Sequence, residues 1–315
     1  MTITIAAGTG TTRTVSTISA PLWMESSISG ATAGRISSLT SSSITVTGAN
    51  WTPSALSTAA IPHFLQVTSG AASGRTFLIS TATASANTTD TLTIDSTEGV
   101  DLSSLGIVTG SSGDTFKIFA ADTLSLLLPG DSGVLAGTTA ATSDIAYLNV
   151  GGIWRSYFYS SANNRWQQVI IGSPNASNVP VGPQGAVMYS RLGATPITLT
   201  VTGNVPSGNR QFRVLNNGVT FVSTGWPMAT TLQSSGIRDI PGWRTSSTVA
   251  SADTVQVMVN GTWRRYFHDG TNWRQVIIGA PIANTLALPA GSAYLLVRAA
   301  GAGSSTLTQS APYSL

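Results

Sequence analysis

The chain has 315 residues, only 9% of them charged, a net charge of +3 and no cysteine. The lack of cysteine excludes a disulfide framework, a thiolate zinc site and a cysteine nucleophile. A hydrophobic content of 42%, spread over short patterned runs, argues against disorder, and no apolar stretch is long enough for a membrane-spanning helix. The polar positions are mostly Ser, Thr, Asn and Gln, a neutral surface suited to work outside a crowded cytosol. Lys117 is the sole lysine; the other basic residues are arginines. Arg155, Arg165, Arg244, Arg264 and Arg274 stand beside tryptophans, which predicts cation–π and hydrogen-bond packing within sheets. A nucleic-acid binder would gather more positive charge on one face, so no nucleic-acid partner is expected. The opening MTITIAAGTG lacks the basic start and apolar core of a signal peptide. The expectation is that Met1 stands where a leader was removed, or that the chain is exported by another route, if at all.

Residues 2–5, TITI, alternate and are β-branched, so they read as a strand, with VSTISAPLW as a second one. Such an N-terminal strand must pair with a sheet edge, in its own subunit or on a neighbour. Between residues 30 and 119 the runs RISSL, SITVTG, HFLQVTSG, GRTFLIS, DTLTID and DTFKIF alternate with turn compositions. Six close-set strands predict a small closed or nearly closed barrel.

A tryptophan hairpin then occurs twice, as GIWRSYFYSSANNRWQQVIIGSP at 152–174 and GTWRRYFHDGTNWRQVIIGAP at 261–281. Trp154 and Trp263, Tyr157 and Tyr266, and Asp144 and Asp253 match at an offset of 109; Trp166 and Trp273, and Arg191 and Arg298, match at 107. The two-residue difference falls inside the turn, where SSANNR becomes DGTN, as a hairpin tolerates. TFKIF at 115 aligns with QFRVL at 211. The expected fold is therefore all-β, a small N-terminal β-barrel followed by two tandem repeats of an antiparallel β-sandwich or half-barrel unit. The expected divisions are an N-terminal strand segment (1–29), the barrel (30–114), repeat one (115–206) and repeat two (207–315). In each repeat the tryptophan strand turns back into WQQVIIG or WRQVIIG, and a Pro/Asn loop follows.

The order TITIAAGTGTTRTVSTISAPL, RISSLTSSSITVTGANWTP, SGAASGRTFLISTAT…DTLTID…GDTFKIF, then a tryptophan hairpin, LPAGSAYLLVRAA and TLTQS resembles the uncharacterised exported all-β proteins common in Verrucomicrobia and their relatives. The resemblance covers nearly the whole chain. It implies an exported location and a β fold, and no chemistry. Its members begin with a signal peptide before the TITI-like strand, from which this sequence departs.

Catalytic groups are scarce. His268 sits at a hairpin turn where the other copy has Tyr159, His63 follows a proline, and most aspartates stand in turn contexts where they cap backbone amides. Calcium loops are missing, and GPQG, SGAASG and GAGSS lack the lysine and strand-to-helix setting of phosphate loops. GDSG at 130–133 is a coincidental match to a protease serine segment. No catalytic, metal or cofactor site is expected. Candidate contact residues are the hairpin aromatics Trp154, Tyr157, Trp166, Trp263, Tyr266 and Trp273, with Arg155 and Arg264. They fill cores, join the two repeats, meet another subunit or form a glycan platform. The expected function is that of a non-enzymatic, self-assembling subunit of an extracellular or cell-surface layer, fibre or matrix, as a homo-oligomer or polymer. The alternatives are a carbohydrate-binding or adhesive module with a glycan partner, and a phage virion fibre or decoration protein; a polysaccharide-active enzyme ranks last.

Overall fold

The computed structural model describes residues 1–183 and 185–314, so Gln184 of the GPQG segment lies outside it. The protein is predominantly β, arranged in antiparallel sheets. Each of the six runs between 30 and 120 contains strand. His63–Val67 and Thr115–Ala120 lie at the middle of a four-stranded sheet, flanked by Thr76–Leu78 and Ala33–Arg35. Ser38–Leu39, Ser43–Thr45 and Thr91–Thr93 make a three-stranded sheet. Between the sheets lies one core containing Trp51, Leu65, Phe77, Leu92 and Phe116. Neither sheet closes on itself, so of the expected closed or nearly closed barrel the closed form is not found. Among the described residues the two sheets meet through the isolated Ile79–Ile94 bridge and where the chain passes directly from Ala33–Arg35 to Ser38–Leu39.

Two five-stranded sheets follow, and their strand order is the same. The first runs Arg165–Gln168, Ile153–Ser160, Ile145–Val150, Val187–Arg191, Thr14–Ile18. The second runs Trp273–Gln275, Thr262–His268, Thr254–Val259, Ala293–Gln309, Arg210–Ser223. The fifth strand of the first sheet thus comes from the start of the chain. Thr2–Ile5 completes the arrangement by pairing with Ile197–Thr200, Ile3 opposite Leu199. In the second sheet the matching pairs are merged into two long strands, joined by a register shift between Leu215 and Asn217. Arg210–Leu215 therefore occupies the place that Thr2–Ile5 holds in the first, and not that of TFKIF, which pairs with 33–35 and 63–67. The sequence alignment of TFKIF with QFRVL is corrected on this point: two five-residue alternating runs look alike whichever strand they pair with. We call residues 1–22 with 122–201 the first unit, 210–309 the second and 24–121 the middle region. The middle region leaves and rejoins the first unit at one place, marked by the Met24–Ala120 bridge.

Alternation along each strand gives every sheet two faces. The inner faces hold Tyr157, Trp166, Tyr189 and Val187 in the first unit and Tyr266, Trp273, Tyr294 and Leu296 in the second. The outer faces meet each other: Ala186 and Met188 of the first pack on Phe221, Ala293, Leu295 and Trp263 of the second. Ser19 N–H donates to Gly291 O at 2.7 Å, and Ala293 N–H to the Thr17 hydroxyl at 3.2 Å, tying the sheets together at this contact. Arg210 pins all three regions. It is buried, donates to the Pro21 and Pro183 carbonyls at 2.7 and 3.3 Å, and its guanidinium lies 5.5 Å from the Trp23 ring, which stacks on Phe119. Burial pulls this guanidinium down to about 9.

Candidate functional site at the junction of three regions

The hairpin aromatics do not form one platform. Trp166 (0% exposed) and Trp273 (1%) are core residues, as are Tyr157 and Tyr266. Trp166 donates its indole N–H to the Leu128 carbonyl at 2.9 Å. Trp154 and Trp263 lie on the outer faces: Trp154 packs on Phe221 with ring centroids 5.3 Å apart, and Trp263 is half-buried in the same contact. Arg155 and Arg264 project as exposed side chains. The cation–π pairs in the described residues join Arg210 to Trp23 and Trp226, Arg298 to Trp243, Lys117 to Trp23 and Arg75 to Phe77. The five arginines adjacent to tryptophan in sequence are not among them; for the four on strands the reason is that neighbours on a strand point to opposite faces, and Arg244 turns to Asp253 instead.

The matched acids and arginines turn out to be partners. Asp144 and Arg191 form a fully buried ion pair. The Asp144 carboxylate also accepts from Tyr189 OH at 2.7 Å and from the N–H groups of Leu135 at 2.8 Å, Leu192 at 2.7 Å and Gly193 at 3.2 Å. In the second unit Asp253 accepts from Arg298 Nε at 3.0 Å, and from the N–H and Nε of Arg244 at 3.0 and 3.2 Å. Both carboxylates are buried and bonded to donors of their own unit, five for Asp144 and three for Asp253, so both pairs hold loops together. His63 is buried with its Nε2 3.0 Å from Ser26 Oγ; His268 accepts from Gly270 N–H at 3.1 Å and meets the Trp273 ring edge-on. Burial lowers the pKa of both imidazoles. Ser132 of GDSG donates to Pro129 O at 2.6 Å within a 3₁₀ turn. Among the described residues, no three His, Asp or Glu side chains come together as metal ligands.

Two features went unread in the sequence. The first is the tight hairpin loops at Gly151–Gly152 and Asn260–Gly261, where both residues of each loop have positive φ (60° and 85°, 52° and 75°). Asn-Gly between alternating runs is the signal that could have found them. The second is the VIIG segments. The strands end at Gln168 and Gln275, so WQQVIIG and WRQVIIG are not strand throughout. Ser173 N–H bonds Ile170 O and Ala280 N–H bonds Ile277 O, both at 3.0 Å, closing two equivalent turns. Gly172 and Gly279, at φ 81° and 83°, take the third position, where a type II turn needs glycine. Ile171 and Ile278 are left at the tips, each 103% exposed.

A cleft of about 560 Å³ opens where the three regions meet. The middle region contributes Asp95 and Glu98 and the second unit Arg213 and Phe221. The first unit contributes Arg155 and the amides Asn149, Gln168, Asn175 and Asn178. Glu98 accepts from Leu78 N–H at 2.8 Å, and desolvation in the cleft wall pushes its carboxyl up to about 7. Asp95 accepts from the N–H and hydroxyl of Thr97 at 2.9 and 2.6 Å, so it caps a turn.

Comparison with protein-family models, with curated proteins and with solved structures finds no match. No helix among the described residues is long and apolar enough to cross a membrane.

Proposed function

We propose that this protein is a non-enzymatic structural subunit that assembles with copies of itself into a layer, fibre or matrix outside the cell. The observation that carries this reading is the pair of bare isoleucine tips, Ile171 and Ile278, on equivalent turns of the two units. A fully exposed isoleucine forgoes on the order of 2 kcal/mol of burial, and the same arrangement occurs twice. Two apolar knuckles on one chain give it two points of attachment, which a subunit needs if assembly is to continue beyond a pair. With 9% charged residues and a net charge of +3, copies approach without strong repulsion. We also read the two units as copies of one ancestral β unit, with the middle region inserted into the first. The shared strand order, the two Asp–Arg pairs and the two VIIG turns support that reading.

Light scattering and sedimentation over a concentration series test the assembly. The expected result is a mass that rises with concentration for the natural chain, and a monomer for the Ile171→Asp/Ile278→Asp double variant with unchanged melting. A natural chain that stays monomeric at high concentration would sink the reading.

A further inference from the structure

The two units allow an internal comparison that isolates the cleft. Strand pairing places Asn149 opposite Trp154 and Met258 opposite Trp263, so Asn149 and Met258 are equivalent. The isolated bridges Gln167–Asn175 and Arg274–Ile282 make Asn175 equivalent to Ile282, and the same offset sets Asn178 against Thr285. Only Gln168 is kept, as Gln275. The frame therefore accepts Met and Ile at positions where the unit that lines the cleft carries amides. The second unit folds without those amides; in the first, two of them cap a turn N–H through the side-chain oxygen and keep an NH2 group besides.

We propose that this cleft binds a short, uncharged oligosaccharide. Above about pH 7, where the raised Glu98 carboxyl is ionised, its charges balance, with Asp95 and Glu98 against Arg155 and Arg213. An anionic or cationic ligand would meet as many like charges as opposite ones, whereas a neutral one uses both kinds as hydrogen-bonding groups. Each amide offers a donor and an acceptor, the pairing a sugar hydroxyl needs. Asn149 and Asn175 spend the side-chain oxygen on the N–H of Gly152 (3.1 Å) and Ser177 (3.0 Å). That fixes the orientation of each NH2 group before any ligand arrives. Trp154, 39% exposed, is not itself a cleft residue but rests on one, Phe221, so a ligand long enough to leave the cleft on that side could stack on its ring. A volume of about 560 Å³ lies within the range of small-ligand sites. Ile171 is not a cleft residue, but its turn joins the cleft residues Gln168 and Asn175, whereas Ile278 lies on the second unit away from them, so the Ile278→Asp variant tells loss of assembly from loss of binding.

The test is a titration of the full chain with cellotriose, maltotriose and triacetylchitotriose, followed by tryptophan fluorescence and saturation-transfer NMR. A trigalacturonate serves as the charged probe. Saturable binding of at least one neutral trisaccharide is expected. Asn149→Met and Asn175→Ile each install the second unit's residue and should weaken that binding about tenfold. Met258→Asn and Ile282→Asn in the second unit should leave it unchanged. If Asn149→Met lowers the melting temperature, Asn178→Thr on the exposed rim supplies the same reading without that burden. The proposal is overturned if none of the three neutral probes saturates, if the trigalacturonate binds more tightly than they do, or if the cleft substitutions leave binding unaltered.

Discussion

The first and second units solve the same architectural problem with different chain routes. In the second unit two long strands, Arg210–Ser223 and Ala293–Gln309, bend at one register shift and serve both the five-stranded sheet and the small pair over its core. In the first unit the same positions are filled by four separate strands, two of them from the first eighteen residues of the chain. The inner-face aromatics and the Asp–Arg pair survive this change of route. The positions that differ, Asn149 against Met258 and Asn175 against Ile282, lie where one unit borders a cleft. The difference separates what the β frame requires from what a location in the assembly adds to it.

The largest expected effect sharpens that separation. Asp144→Ala leaves Arg191 buried and strips an acceptor from a tyrosine and three N–H groups. Chemical denaturation should show a loss of about 3–5 kcal/mol. Asp253→Ala should cost less, because Arg244, one of its two arginine partners, is 38% exposed and can turn to water. Equal losses would break the asymmetry drawn between the two networks. Next come the aromatics on the outer faces. Trp263→Ala should destabilise more than Trp154→Ala, both by under about 3 kcal/mol because neither is a fully buried core ring. The reverse order in thermal melts would place the apolar contact between the sheets elsewhere.

A smaller effect depends on pH. Asp122 stands where the second unit has Thr230, and burial holds its carboxyl at about 7 instead of the ordinary 3.8. A carboxyl raised by folding favours the folded state fully at low pH. That contribution is lost as pH climbs from the unfolded value through about 7. Asp122→Thr should therefore flatten the stability profile between pH 4 and 7 and gain on the order of 1 kcal/mol at pH 8. A variant that tracks the natural chain at every pH would show that Asp122 is solvated. The smallest effect compares the two tips: Ile171→Asp and Ile278→Asp alone should each weaken self-association while leaving melting unchanged. If one has no effect on mass, only a single knuckle makes contact.

The sequence carried the frame well where identity repeats at a fixed offset. Trp166 and Trp273, Tyr157 and Tyr266, and both Asp–Arg sets were visible as equivalent positions; that each aspartate binds its arginine was within reach, since they share the two offsets. Which strands pair was not legible. TFKIF and TITI are both short alternating runs, and only contacts across nearly two hundred residues decide which one lies beside ITLT. The middle region shows the same limit, since strand spacing alone does not say whether short strands close a barrel. The apolar VIIG hides where each return strand ends, while the Gly-Ser-Pro and Gly-Ala-Pro that close it are the sign of a turn. The cleft could not be read at all. It is built from three regions, and its amides look like ordinary loop residues until the second unit's Met258 and Ile282 are set beside them.

The pairing of Thr2–Ile5 with Ile197–Thr200 also dictates an order of events during synthesis. The middle region can fold as soon as its last strand, Thr115–Ala120, leaves the ribosome. The opening strands must wait for a further stretch of chain, several seconds at common rates of translation. Through that interval they are bare β edges in a crowd of nascent copies. The folded middle region, closed by the Met24–Ala120 bridge, sets them beside the point where the chain continues to grow, which favours capture by their own 187–200 segment over a neighbour's.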